Sequence, residues 1–123
     1  MDLKNFGDNA LEKANVIKRK GALEIFTRVV LETPVKSGRA RGNWQCSTGS
    51  EKTDELDTSD QNRAIPEISN VVMRSELKDV IFLSNNVPYI GRLNDGYSKQ
   101  APSGFIEKAI ALYPGVIEDA AND

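Results

Sequence analysis

The start of the chain carries one long apolar periodicity, and this pattern constrains the fold more than any other feature. The spacing predicts a single helix over residues 3–32, which Thr33-Pro34 ends because a residue before proline avoids the helical region. Two helices that meet at Gly21 are the alternative, since glycine weakens a helix interior by about 1 kcal/mol. The apolar or small residues that recur on one helix face are Leu3, Phe6, Ala10, Ala14, Ile17, Gly21, Ile25 and Val29.

An unbroken helix over residues 3–32 would be about 45 Å long, at about 1.5 Å per residue. That length exceeds the width of a compact domain, and 123 residues are enough for one domain, spanning 1–123, rather than two. We therefore expect part of the helix to project beyond the body of the domain and to pack on something else.

The sequence after this helix predicts a small antiparallel sheet. Residues 43–48 alternate large and polar side chains, as a strand does, which places Trp44 and Cys46 together on the inner face. An apolar run of β-forming residues predicts a second strand over residues 79–85. Residues 47–60 contain one apolar residue in fourteen and are predicted to form an exposed, mobile acidic loop.

Two shorter helices complete the prediction. The first spans residues 66–75, and the second is a closing helix over residues 104–113, which Pro114 ends. The predicted fold class is α+β: a long N-terminal helix plus a small antiparallel β-sheet packed with two shorter helices. The inward side chains of the closing helix are predicted to be Phe105, Ile106, Ala109, Ile110 and Tyr113.

The composition argues against enzymatic chemistry. The chain contains no histidine, which is the usual general base near neutral pH and the commonest metal ligand. Its single cysteine, Cys46, cannot form an intramolecular disulfide, as is typical of proteins from a reducing compartment. No apolar run approaches the roughly 20 residues that span a bilayer. We expect a soluble protein that is not an enzyme, with no catalytic residues, no cofactor, no metal site and no membrane partner.

Charge is divided between two regions of the chain. Residues 18–41 contain seven Lys or Arg and two Asp or Glu, whereas residues 51–60 contain five acidic residues and one lysine. Three interpretations remain open: two solvated faces, a contact between the basic region of one subunit and the acidic region of the next, or weak phosphate binding without sequence preference. The cations available for phosphate binding are Lys18, Arg19, Lys20, Lys36, Arg39 and Arg41.

Two stretches, TPVKSGRARGNW at residues 33–44 and SNNVPYIGRLNDGYSKQAPSGF at residues 84–105, combine glycine and proline with aromatic residues. They resemble the signature segments of a family of small neck and tail-completion proteins of long-tailed bacteriophages. Tyr97 departs from that pattern, because tryptophan is common at its place. The matching residues are Thr33, Pro34, Val35, Ser37, Gly38, Arg39, Arg41, Trp44, Asn85, Asn86, Pro88, Tyr89, Arg92, Leu93, Gly96, Ser98, Gln100, Ala101, Pro102, Gly104 and Phe105.

The resemblance implies a structural virion protein without catalytic residues. Such proteins form a homo-oligomeric ring, typically a hexamer, at the head–tail junction. The ring caps the tail, docks to neck or connector proteins and to tail-tube or tail-terminator proteins, and leaves a channel for the passage of DNA. The implied location is the virion neck, and the host cytoplasm during assembly. An oligomeric module that binds nucleic acid without sequence preference is the alternative function.

Candidate contact residues follow from the charge pattern and from the second of these stretches. Lys18, Arg19 and Lys20 are candidates for the wall of a DNA channel. The candidates for the interface between subunits are Lys36, Arg39, Arg41, Asp54, Glu55, Asp57, Tyr97, Lys99 and Gln100.

Overall fold

A computed structural model describes residues 3–96 and 104–122 of the chain. Its longest element is helix α1, Leu3–Glu32, which runs without a break, as the periodicity predicts. Gly21 lies inside this helix, where a Cβ atom would come within 2.5 Å of Ile117 Cδ1. Glycine at this position therefore permits a close approach to another helix and does not interrupt α1.

The remaining elements are short, and together with α1 they confirm the predicted α+β fold. The two strands pair in antiparallel fashion, with Cys46 opposite Leu83, and α1 packs against α3, α5 and α6. In chain order these elements are α2 (Arg39–Gly42), β1 (Gln45–Thr48), α3 (Ala64–Arg74), β2 (Ile81–Ser84), α4 (Ile90–Asn94), α5 (Phe105–Ala111) and α6 (Tyr113–Ala121).

The core lies between α1, α3, α5 and the sheet. Trp44 and Cys46, which flank the start of β1, are 5% and 3% exposed, so the prediction that both are core residues is confirmed. Helix α3 turns a stripe of residues spaced four apart toward the same cluster, as expected for an amphipathic helix. The buried members of this core cluster are Ala22, Val29, Val30, Trp44, Cys46, Ala64, Ile68, Val72 and Ala109.

The end of the chain differs from the prediction of a single closing helix over residues 104–113. Two helices, α5 and α6, follow each other there, and Pro114 lies in the first turn of α6. Proline is tolerated in a first turn because its missing N–H has no partner within the helix anyway. Pro114 therefore helps to begin a helix, and the prediction that it ends one is wrong.

The inward face of the closing helix is only partly as predicted. Phe105 and Ala109 are buried, four residues apart on α5, and Ile106 is half-buried beside them. Ile110 and Tyr113 are 56% and 44% exposed, so their predicted burial is wrong. Ile110 follows Ala109 by one residue, which is about 100° of helix rotation and carries its side chain away from the core.

The N-terminal turns of α1 project from the body of the protein, as the predicted helix length requires. Between Lys4 and Lys13, the side chains that the structure describes are exposed. Leu11 is 59% exposed, although Ile25 and Val29, farther along the same helix, are 5% and 3% exposed. The C-terminal half of α1 is thus a core helix, whereas residues 4–13 have their surface open to solvent.

Candidate assembly surfaces

The basic segment after α1 is built to hold the end of that helix. The Arg41 guanidinium donates to two main-chain carbonyl oxygens there, at 3.0 Å to Thr33 O and 2.6 Å to Leu31 O. Cations suit this position, because the last carbonyls of a helix have no partners within it and carry partial negative charge. Arg41, an interface candidate from the sequence, is therefore occupied with contacts inside its own chain.

The two glycines around α2 allow the acidic loop to lie directly on the basic segment. A Cβ atom at Gly38 would come within 2.2 Å of Ser59 O, and one at Gly42 within 2.5 Å of Asp60 O. Gly38 also has a φ of 76°, a left-handed conformation that favours glycine. The spacing of glycine in GRARG is thus explained by backbone contact with residues 59 and 60, which are distant in sequence.

Charge pairing between the basic and acidic regions occurs within one chain. Arg39 Nη2 lies 2.8 Å from Glu55 Oε1, and Arg39 Nη1 lies 3.5 Å from Asp57 Oδ1. The side-chain hydrogen bond to Glu55 is the main cause that raises the pKa of Arg39. Lys36 and Asp54, the other charged interface candidates in this region, are both exposed. The pairing that the charge pattern suggested between subunits is therefore available to Arg39 inside its own subunit.

Side-chain amides hold the main chain of the acidic loop along β1. Asn43 Nδ2 donates to Leu56 O at 3.1 Å, and Leu56 N donates back to Asn43 Oδ1 at 2.7 Å. Gln45 Nε2 donates to Asp54 O at 2.6 Å. These bonds satisfy backbone groups that have no strand partner. They hold the main chain of the loop in place, and its carboxylates extend from there.

The two segments that carry the family resemblance meet in space. Asn85 Nδ2, at the end of β2, donates to Ala40 O in α2 at 2.8 Å. Val87, two residues farther on, is 2% exposed and anchors the start of the second segment in the core. Both segments thus contribute to one structural joint, although the two bonded residues are 45 positions apart in the sequence.

Asn94 closes the second segment onto α5. Its Nδ2 donates to both carboxylate oxygens of Glu107 at 2.8 Å, and its Oδ1 accepts from Ile106 N at 2.9 Å. The hydrogen bond from Asn94 is the main cause that lowers the pKa of Glu107. The main chain is tied as well, since Gly104 N donates to Asn94 O at 2.5 Å. The interface candidates Tyr97, Lys99 and Gln100 lie outside the described residues.

Two of the three DNA-channel candidates contact the turn that leads from α3 to β2. Lys18 Nζ donates to Glu76 O at 3.0 Å, to Leu77 O at 3.1 Å and to Asp79 O. Arg19 donates through Nε and Nη2 to a single acceptor, Ser75 O, at 3.0 and 2.5 Å. These cations fasten a turn to α1. The third candidate, Lys20, is exposed.

An open apolar groove follows the C-terminal half of α1, between α3 and α6. Its volume is about 930 Å³, which is near the upper end of the range for ligand pockets. Leu23, Leu31, Ile65 and Val116 supply apolar side chains from all three helices. Leu31 is 55% exposed within the groove. The polar residues of the groove are Lys20, Glu24, Thr27, Arg28, Glu32, Ser69 and Asp119.

Cys46 is a core thiol rather than a nucleophile. Burial, reinforced by the charge of Glu67, raises its pKa to about 11, which keeps the thiol protonated at neutral pH. The Glu67 carboxylate accepts a hydrogen bond from the Cys46 N–H at 2.9 Å, on the edge of β1 that faces away from β2. Glu67 thus protects a strand edge.

Ser75 and Lys78 have the S-x-x-K spacing of a serine–lysine nucleophile motif. Ser75 is 2% exposed, and its hydroxyl donates to Val72 O at 2.6 Å. Lys78 is exposed, and its ammonium lies 3.4 Å from Glu76 Oε2. The serine proton is thus directed to a backbone carbonyl, and the two side chains have separate partners.

Residues 3–96 and 104–122 form neither a cluster of metal ligands nor a helix that could cross a membrane. No group of three or more His, Cys, Asp or Glu side chains is placed there to hold a metal ion. None of the helices in these ranges is both long enough and apolar enough to cross a membrane.

Comparison with protein-family models, with curated proteins and with solved structures found no match. The resemblance of residues 33–44 and 84–105 to phage neck proteins therefore stays a prediction. These segments form a joint that ties α2 to the end of α1 and to the residue after β2, and that ties α4 to α5.

Proposed function

We propose that this chain is a structural protein of the neck of a long-tailed bacteriophage. In this proposal it forms a ring at the head–tail junction that caps the tail and docks it to the connector around a DNA channel. The two segments that resemble the neck family support the proposal, because their polar side chains hold the main chain in place, which is a structural role. Arg41, Asn85 and Asn94 each hydrogen-bond to main chain elsewhere in the protein.

The observation that carries the proposal is the projecting end of α1. Leu11 and Val29 are 18 residues apart, which is about five turns of an α-helix, so both lie on the same helix face. Val29 is buried in the core and Leu11 is 59% exposed. One face of this helix is therefore buried in the core near its C-terminal end and exposed near its N-terminal end. The exposed part of the face can bind a partner protein, as is expected of a protein that works in an assembly.

The nucleic-acid alternative receives less support from the geometry. Lys18 and Arg19 direct their donors at main-chain carbonyls of the turn after α3, and Arg41 directs its donors at the end of α1. Phosphate binding of useful strength needs several cations that face the backbone of DNA together. In the proposed ring, DNA passes through the channel transiently and is not gripped.

Electron microscopy of particles made without this protein tests the proposal. We expect separate full heads and finished tails if the ring joins the two, or overlong tails if it terminates the tail. Immunogold labelling of complete virions should place the protein at the neck. Normal joined particles from a phage that lacks the gene would refute the virion role, and retardation of duplex DNA at physiological salt would favour the nucleic-acid module.

A further inference from the structure

We propose that the projecting end of α1, residues 3–14, docks in the groove between α1, α3 and α6 of a second copy of this chain. This contact would be the interface between neighbouring subunits. The inference rests on the proposed function only for the closure of this interface into a ring. The projecting end offers the exposed apolar side chain of Leu11, and the groove offers that of Leu31.

The groove is suited to one face of a helix. Leu23 and Leu31 of α1 are two turns apart along its length, and Ile65 of α3 and Val116 of α6 form its walls. Amphipathic helices bind in grooves of this kind through a few apolar anchors on successive turns. A volume of about 930 Å³ leaves room for several such side chains at once.

The projecting end cannot fill the groove of its own chain. Leu11 and Thr27 are 16 residues apart on one unbroken helix, which places them about 24 Å apart along the axis. The helix would have to fold back on itself to bring them together. If the projecting end of α1 occupies such a groove, the groove therefore belongs to another molecule, and a second copy of this chain has one.

The geometry also predicts the symmetry of the contact. Leu11 and Leu31 are 20 residues apart, so they point in directions about 160° apart around α1. Two copies therefore cannot exchange both surfaces across a single two-fold contact. Each copy donates its projecting end to one neighbour and receives another end in its groove. Such head-to-tail contacts close into a ring if the rotation permits and otherwise give a filament.

One pair of opposite charges along the groove matches a pair on the projecting end. Glu24 and Arg28 lie four residues apart on the rim and have opposite signs. Lys4 and Asp8 lie four residues apart on the projecting end, also with opposite signs, and both are exposed. A parallel register that places Lys4 near Glu24 brings Asp8 near Arg28, which pairs with Glu32 at 3.6 Å in its own chain. The same register brings Glu12 near Glu32. Rim charges of this kind influence register more than affinity.

Two aspartate substitutions with a matched control test the contact by analytical ultracentrifugation. Leu11→Asp disables the projecting end and Leu31→Asp disables the groove, whereas Val80→Asp changes an apolar residue that is 61% exposed and lies outside both surfaces. We expect the wild type and Val80→Asp to self-associate as concentration rises, and each of the other two variants to sediment as a monomer. Circular dichroism should show the wild-type helix content in all of them.

Mixing the two defective variants is the decisive step. Leu31→Asp retains its projecting end and Leu11→Asp retains its groove, so the mixture should form a one-to-one heterodimer that grows no further. A mixture of folded monomers that fails to associate would overturn the contact, as would a monomeric wild type or self-association of both single variants.

If Leu11→Asp still joined heads to tails, the contact would be wrong and the neck function would stand. Normal particles without the protein would reject the function and leave the contact intact.

Discussion

The indole N–H of Trp44 donates a 2.8 Å hydrogen bond to the hydroxyl oxygen of Thr33, and both residues are buried. The Thr33 hydroxyl in turn donates to Val29 O at 2.7 Å. This short chain of hydrogen bonds ties the start of β1 to the last turn of α1. It gives a physical reason for threonine at the end of the helix and for tryptophan at the start of the strand.

Replacing Thr33 by valine should destabilise the fold, although the two side chains have nearly the same shape. The substitution leaves the Trp44 N–H buried without an acceptor, which costs about 1–3 kcal/mol of unfolding free energy. Thr33→Ser keeps the hydroxyl and should lose less. Urea unfolding of the three proteins measures the difference, and a Thr33→Val protein as stable as the wild type would mean that the bond contributes nothing.

Two glycine-to-alanine changes should have opposite outcomes. At Gly42 the added methyl would come within 2.5 Å of Asp60 O, a backbone atom that cannot turn aside, whereas at Gly115 in α6 nothing lies within 4 Å. We expect Gly42→Ala to cost about 1–3 kcal/mol through overpacking. Gly115→Ala should be neutral or stabilise the helix by up to about 1 kcal/mol. Thermal unfolding distinguishes the two, and equal effects would show that the close approach is unimportant.

Local patterns predicted the elements better than they predicted the contacts between them. The periodicity of α1 is a property of neighbouring residues, so its bounds, 3–32, could be read from the sequence. The partners of Arg39 could not, because Glu55 and Asp57 reach it only through the path of a long loop. The helix that begins at Tyr113 was missed because Pro114 was interpreted as a stop, and a first-turn proline is equally compatible with a start.

The contacts of the candidate surfaces were likewise not predictable from local sequence patterns. The spacing of charges identified Lys18 and Arg19 as a basic cluster, but their acceptors are backbone carbonyls, which every residue carries and no sequence pattern marks. The groove combines residues of α1, α3 and α6, so it exists only once the helices are packed. By contrast, the projection of α1 followed from its length alone, and that prediction is confirmed by the exposure of Leu11.

Stability should fall above pH 9 because of Cys46. Its pKa rises from 9.0 to about 11 on folding, so the buried thiol contributes its full stability below the unfolded pKa and loses it as the pH climbs through the folded one. The loss should approach about 1.4 kcal/mol per pH unit across this window. Urea unfolding of the wild type and Cys46→Ala at several pH values isolates the effect, because other titrations cancel. Parallel pH profiles for the two proteins would contradict the assignment.

Arg39 and Arg41 should respond differently to replacement by alanine. Arg41 holds two carbonyls at the end of α1 at 3.0 and 2.6 Å, and hydrogen bonds from charged groups contribute about 1.5–3 kcal/mol. Arg39 pairs with Glu55 and Asp57 at the surface, where salt screens the attraction and the contribution is small. We expect Arg41→Ala to destabilise the protein at all salt concentrations. The smaller effect of Arg39→Ala should fade as salt is added, and the reverse ranking would refute both roles.

Lys18 should matter for folding and not for DNA. Its ammonium donates to Glu76 O and Leu77 O at 3.0 and 3.1 Å, so Lys18→Met removes the donor for these carbonyls and should cost about 1–3 kcal/mol. Lys13→Met is the matched control, since Lys13 lies on the exposed part of α1 and surface changes stay within about 0.5 kcal/mol.

The same two variants test the place of Lys18 in a DNA channel. Nonspecific DNA affinity depends on cations that face phosphate, and removing one such cation weakens binding and lowers its salt dependence. Because the Lys18 ammonium faces carbonyls of its own chain, folded Lys18→Met should bind duplex DNA as the wild type does. Gel retardation across a salt series measures this below the melting temperature of the variant. If Lys18→Met bound DNA more weakly than Lys13→Met, and its DNA affinity depended less on salt, Lys18 would again be a candidate for the wall of a DNA channel.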